Sequence, residues 1–69
     1  MKLQINGEKE QIDADSITIT ELLKLKEVKM PEMVSVELNG DILDRDAFDT
    51  TNLKEDDEVE FLYFMGGGQ

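Results

Sequence analysis

Two Asn-Gly dipeptides, at positions 6–7 and 39–40, constrain this chain more than any other feature, because each closes a run of alternating residues. Met1, Leu3 and Ile5 alternate with Lys2 and Gln4 before the first; Val34, Val36 and Leu38 alternate with Ser35 and Glu37 before the second. A period of two places the apolar set on one face of a half-buried strand. Asn-Gly then turns the chain back on itself, since both residues tolerate positive φ and so fit a two-residue hairpin loop. The return strand after the first turn, about Glu8 to Asp13, is polar apart from Ile12 and reads as an edge strand. After the second turn, Ile42 and Leu43 continue as a short extended piece.

Between the hairpins lies a helix signal of a different period. Thr18-Ile19-Thr20-Glu21 is a capping box, in which Thr18 accepts from the Glu21 N–H and the Glu21 side chain returns to the Thr18 N–H. Ile17 and Leu22 are placed for a hydrophobic staple. Ile19, Leu22, Leu23 and Leu25 give the helix an apolar side, and it ends near Val28, before Pro31. Further on, Ala47 and Phe48 predict one helical turn. Leu53 and a Glu55-Asp56-Asp57 turn lead into a last strand at Val59–Met65.

The predicted order is strand, strand, helix, strand, short strand, strand: an α+β unit with the helix across one sheet face. Val59 and Phe61 point inward, toward Leu3, Ile5, Val34, Val36 and Leu22. Glu60 faces out, which puts Leu62 and Phe64 on the outer face as well. Exposed apolar residues of this kind mark protein interfaces; a bulge or covering loop that buries them is the alternative. The chain shows no repeat, linker or second domain. Residues 1–64 read as the folded domain and 65–69 as a flexible glycine-rich tail.

Composition narrows the chemistry. With 69 residues the chain sits near the lower edge of what folds without a staple, and it has no Cys to supply one. It also has no His, the usual general base at neutral pH and the commonest metal ligand. The expectation is a protein that is not an enzyme, holds no metal and binds no cofactor of its own. Asp and Glu number 17 against 7 Lys and Arg, and residues 41–60 carry nine acids against Arg45 and Lys54. Such a surface repels nucleic acid and anionic membranes and steers the chain toward basic protein surface. No apolar run has membrane-spanning length and no signal-peptide core is visible, so a cytoplasmic location is expected.

The tail, Met65-Gly66-Gly67-Gly68-Gln69, directly follows the apolar run Phe61–Met65. Without Cβ atoms, glycines allow a close approach to another surface. The four residues past Met65 reach about 13–14 Å when extended, far enough to carry a terminal carboxylate into a partner's active site. An ordinary frayed terminus is the competing reading.

The run Val36-Glu37-Leu38-Asn39-Gly40-Asp41-Ile42, then Arg45, then Leu53-Lys54-Glu55-Asp56-Asp57-Glu58-Val59-Glu60, then Phe64-Met65-Gly66-Gly67-Gly68 resembles the thiamine-biosynthesis sulfur carriers of the ThiS family. The resemblance covers nearly the whole chain. Each piece is weak alone; their order and spacing carry it. It implies a β-grasp (ubiquitin-like) fold, with a mixed four- to five-stranded sheet and one helix packed across one face.

The resemblance also implies a chemistry. An E1-like (ThiF-like) adenylyltransferase, using ATP and Mg, converts the glycine carboxylate into an acyl adenylate. A persulfide sulfur donor then yields a thiocarboxylate, which gives its sulfur to thiazole synthase (ThiG-like). Gly68 maps to the reactive terminus, Gly67 to the other functional glycine and Gly66 to a spacer. Leu62, Phe64 and Met65 map to a docking patch, and the acids of residues 55–60, Glu58 and Glu60 among them, face the adenylating partner. One departure stands out. Gln69 follows Gly68, where the family ends in glycine, and an amide cannot be adenylated. Trimming of Gln69 by a metalloprotease, activation of Gln69 itself, a diverged and unreactive tail, and an artefactual residue are all open. So are a carrier for another pathway (molybdopterin or cysteine type), a protein modifier joined through Gly68, and a plain β-grasp interaction module.

Overall fold

The computed structural model describes residues 1–63. Both Asn-Gly pairs turn the chain in the left-handed region, with φ of 52° and 85° at Asn6 and Gly7 and 52° and 90° at Asn39 and Gly40. Both turns close antiparallel hairpins. The first joins β1 (Lys2–Ile5) to β2 (Glu8–Gln11), and the second joins β3 (Val34–Leu38) to β4 (Asp41–Leu43). The last strand, β5 (Glu58–Tyr63), enters between them, so the sheet runs β2-β1-β5-β3-β4. β5 is parallel to β1 and antiparallel to β3, which makes the five-stranded sheet mixed.

β2 is an edge strand, as its polarity predicts, but it ends at Gln11, short of Asp13. Ile12 lies just past it and is buried. Its N–H donates to the Met1 carbonyl at 2.7 Å, and the amino terminus of Met1 donates back to the Ile12 carbonyl at 2.7 Å.

The helix α1 (Ile19–Leu25) begins with the capping box. The Glu21 N–H reaches Thr18 Oγ1 at 3.1 Å, and the Thr18 N–H reaches Glu21 Oε1 at 2.9 Å. Ile17 and Leu22, the staple pair, are both buried. The helix stops three residues before Val28, for a reason visible in the backbone. Glu27 takes φ of 57°, its N–H bonds the Lys24 carbonyl, and the Val28 N–H bonds the Leu23 carbonyl, both at 3.0 Å. That is a Schellman ending, built on a glutamate where glycine is usual. Leu25, expected on the apolar side, is more than half exposed.

Short 3-10 turns at Pro31–Met33 and Arg45–Ala47 complete the elements. The second matches the expected helical turn and leaves Phe48 buried. The segment after it is tied to the helix start: the Thr20 N–H bonds the Phe48 carbonyl and the Leu53 N–H bonds the Ile17 carbonyl. One core results, in which Leu3, Ile5, Val34, Val36, Val59 and Phe61 from the sheet face Ile19, Leu22 and Leu23 from the helix. No helix among the described residues is long and apolar enough to cross a membrane.

Candidate functional site

The central position of β5 decides what surrounds the root of the tail. Val59 and Phe61 are buried, whereas Glu58, Glu60 and Leu62 alternate onto the outer face, where no helix lies. Leu62 is 40% exposed, so no bulge or loop among the described residues buries it. Phe64, Met65, Gly66, Gly67, Gly68 and Gln69 lie outside the described residues.

Register places three further residues on that outer face. Glu60 sits opposite Glu37, Glu37 sits opposite Ile42, and Leu62 sits opposite Ser35. Directly opposed side chains across a ladder stand about 5 Å apart at Cβ. The face therefore presents a Glu60–Glu37–Ile42 row next to a Leu62–Ser35 row. Ile42 is 62% exposed. Sequence reasoning missed Ile42 and Glu37, although the signal was present. A two-residue Asn39-Gly40 loop fixes Leu38 against Asp41, and counting back one pair sets Glu37 against Ile42.

The acids of residues 55–60 divide into two groups. Glu55 Oε2 accepts the Lys2 N–H at 3.1 Å; Asp57 accepts from the Lys54 N–H at 2.8 Å and from Asn39 Nδ2 at 3.1 Å. These carboxylates shape the turn before β5, in which Asp56 takes φ of 70°. Asn39 Oδ1 in turn accepts the Glu58 N–H at 2.9 Å, fixing where β5 starts. The side chains of Glu58 and Glu60 make no hydrogen bond or ion pair to another described residue. The ion pair seen among the described residues, Lys26 with Glu10 at 2.6 Å, is on the other side of the sheet order, at the β2 edge.

Tyr63, the last described residue, points with Val59 and Phe61 yet is 55% exposed, because the core ends beneath it. It pairs with Val34 at the start of β3, immediately after Met33, which is 39% exposed. Apolar surface thus flanks the tail root on both sides of the strand, Leu62 on one and Tyr63 with Met33 on the other. The arrangement is a central strand whose outer face is both apolar and acidic.

Comparison with known proteins identifies the family. A model of the ThiS family matches residues 2–68, from β1 to the third glycine. A thiazole synthase from Magnetococcus marinus is 38% identical over 69 residues, covering 100% of this chain; the chain spans only 21% of that protein's length. The sulfur carrier protein ThiS of Bacillus subtilis is 32% identical over 66 residues, covering 96% of this chain and 98% of that one. The crystal structure of the thiamine biosynthesis protein ThiS from Geobacter metallireducens is 54% identical with a TM-score of 0.89, covering 99% of this chain and 100% of that one. A solution structure of a thiamine biosynthesis protein from the same organism gives 53% and 0.83, over 100% and 90%. The family match over nearly all of the sequence, the full-length carrier relative and the shared architecture show that this chain belongs to the ThiS family of thiamine-biosynthesis sulfur carriers, on a ubiquitin-like β-grasp fold.

Proposed function

We propose that the chain carries sulfur as a thiocarboxylate on Gly68, once Gln69 has been removed, and delivers it for thiazole formation. The observation that carries this reading is the family match running through the three glycines to Gly68 and leaving Gln69 outside it. A carboxylate is a poor electrophile, because oxide is not a leaving group. An adenylyltransferase with Mg-ATP joins the Gly68 carboxylate to AMP and releases pyrophosphate. Persulfide sulfur then displaces AMP, and a thiol reduces the resulting S–S bond to leave the thiocarboxylate.

In this scheme the chain is a co-substrate. Its partners bring the catalytic groups; it supplies the thread and the docking face of Leu62, Ile42, Glu37, Glu58 and Glu60, to which the family resemblance adds Phe64 and Met65. The excess of acids on that face suits a partner with a basic surface. The Magnetococcus marinus relative supports a thiazole synthase as acceptor, since a stretch similar to this chain lies within a protein of that name.

The test is the intact mass of the protein from its native host. Loss of one glutamine, with the increment for sulfur replacing oxygen, is the expected result. A single species retaining Gln69 after incubation with the host's adenylating enzyme and ATP would overturn the reading and favour an interaction module.

A further inference from the structure

Arg45 does something that neither its exposure nor its place after β4 suggests. β4 leaves the sheet after Leu43, whose partner is Val36; continuing that register past Ser35 and position 44 would set Val34 opposite position 45. The chain has by then turned into a 3-10 helix, so among the described residues no backbone partner reaches the Val34 carbonyl. The Arg45 side chain takes that place. Its Nη2 donates to the Val34 carbonyl at 2.7 Å, and its Nη1 donates to the Pro31 carbonyl at 2.8 Å. The guanidinium lies over the Phe48 ring, 5.2 Å from its centre, and Phe48 is buried. A planar fork with parallel donors, seated on an aromatic face, can span two carbonyls in this way, which an ammonium cannot reproduce.

The braced segment is the one that holds the tail root. On the β1 side, the lateral support of β5 stops at the Phe61 N–H, which donates to Asn6 Oδ1 at 2.8 Å. Among the described residues, Leu62 and Tyr63 are held laterally by Ser35 and Val34 alone. Val34 is fully buried, and it follows directly on the Pro31–Met33 turn that Arg45 also grips. One side chain therefore fixes Val34 and the turn before it, the start of the strand that flanks Leu62 and Tyr63.

We propose that Arg45 is a positioning residue for the reaction at the glycine terminus. By clamping Pro31 and Val34, it keeps Leu62 and Tyr63 in the β3–β5 register, so that docking of the sheet face aims the tail into the partner's channel. This rests on the carrier reading given above. With Leu62 and Tyr63 in register, the docked face and the last described residues move as one body, so the tail starts from a fixed point relative to the partner's channel. Misplacing a reacting group by about 1 Å costs on the order of 100-fold in rate.

The experiment uses Arg45→Met, which keeps the stem over Phe48, and Arg45→Lys, in chains ending at Gly68. Amide hydrogen exchange at Ser35 and Leu62, relative to Ile5 and Val36, should quicken about 10-fold or more in Arg45→Met and by an intermediate factor in Arg45→Lys. With a ThiF-like adenylyltransferase and ATP, pyrophosphate release should show kcat lowered about 10- to 100-fold while KM stays within about 3-fold, because Ile42, Glu37, Glu58 and Glu60 of the docking face keep their places. Exchange that quickens uniformly across the sheet, together with wild-type kcat for the folded variant, would overturn the proposal and leave Arg45 a general stabiliser. If the wild-type chain ending at Gly68 is itself not adenylated, the carrier reading fails, and the exchange comparison alone decides whether Arg45 holds the tail root.

Discussion

The Phe61 N–H donates to Asn6 Oδ1 at 2.8 Å, joining the first hairpin turn to the centre of the last strand across a separation of 55 residues. Asn6 therefore works twice. Its backbone sits at φ of 52° to make the turn, and its side chain ends the β1–β5 ladder where β1 has run out. Asn6→Gly keeps the turn and deletes the acceptor. The expected loss is about 1–2 kcal/mol, from leaving a part-buried donor unmatched. Asn6→Asp keeps both features and should stay within about 0.5 kcal/mol of wild type. Urea unfolding of the pair checks this; equal midpoints would mean that the bond contributes nothing.

Glu27→Gly should stabilise the protein. Glu27 occupies the left-handed position that ends the helix, is exposed, and bonds only through its backbone to the Lys24 carbonyl. A non-glycine residue there costs about 1–2 kcal/mol, part of which glycine returns as greater freedom in the unfolded chain. A net gain of about 0.5–1 kcal/mol is expected, read as a higher thermal midpoint. Glu27→Ala, which keeps the Cβ, should show no such gain.

Glu60→Gln separates folding from docking. Glu60 and Glu37 oppose each other across β5 and β3, and like charges so placed repel. Removing one should raise stability by a few tenths of a kcal/mol at low salt, with the gain fading as salt screens the pair. Association with a basic partner should slow over the same salt range. Unfolding curves and stopped-flow association, each at low and high salt, read the two effects separately.

Gly67→Ala should leave the fold alone, since position 67 lies beyond the described sheet. The added Cβ would obstruct a channel shaped for a glycine thread, and adenylation of the chain ending at Gly68 should slow about 10-fold or more. Thermal unfolding and pyrophosphate release together check this. Adenylation as fast as wild type would remove the main support for a threaded tail.

Local signals were legible in the sequence because their causes lie within a few residues. Asn-Gly makes a turn through its own backbone freedom. Thr18 and Glu21 cap a helix three positions apart, and alternation marks which face of a strand is buried. These fixed both hairpins, the start of the helix and the outward placing of Leu62. The outer face was legible in part: Leu62, Glu58 and Glu60 follow from alternation within β5, whereas Ile42 and Glu37 join them only through register. The rest required the fold itself. Nothing local to β5 says that it enters between β1 and β3, because that order is set by burying Val59 and Phe61 against α1 from both hairpins at once. Only then do Asn6 and Arg45 find partners, the Phe61 N–H and the Val34 and Pro31 carbonyls, that a left-handed turn residue and an exposed arginine do not announce in sequence. The early end of the helix has the same origin: Val28 packs against the core, and the chain bends at Glu27 to put it there.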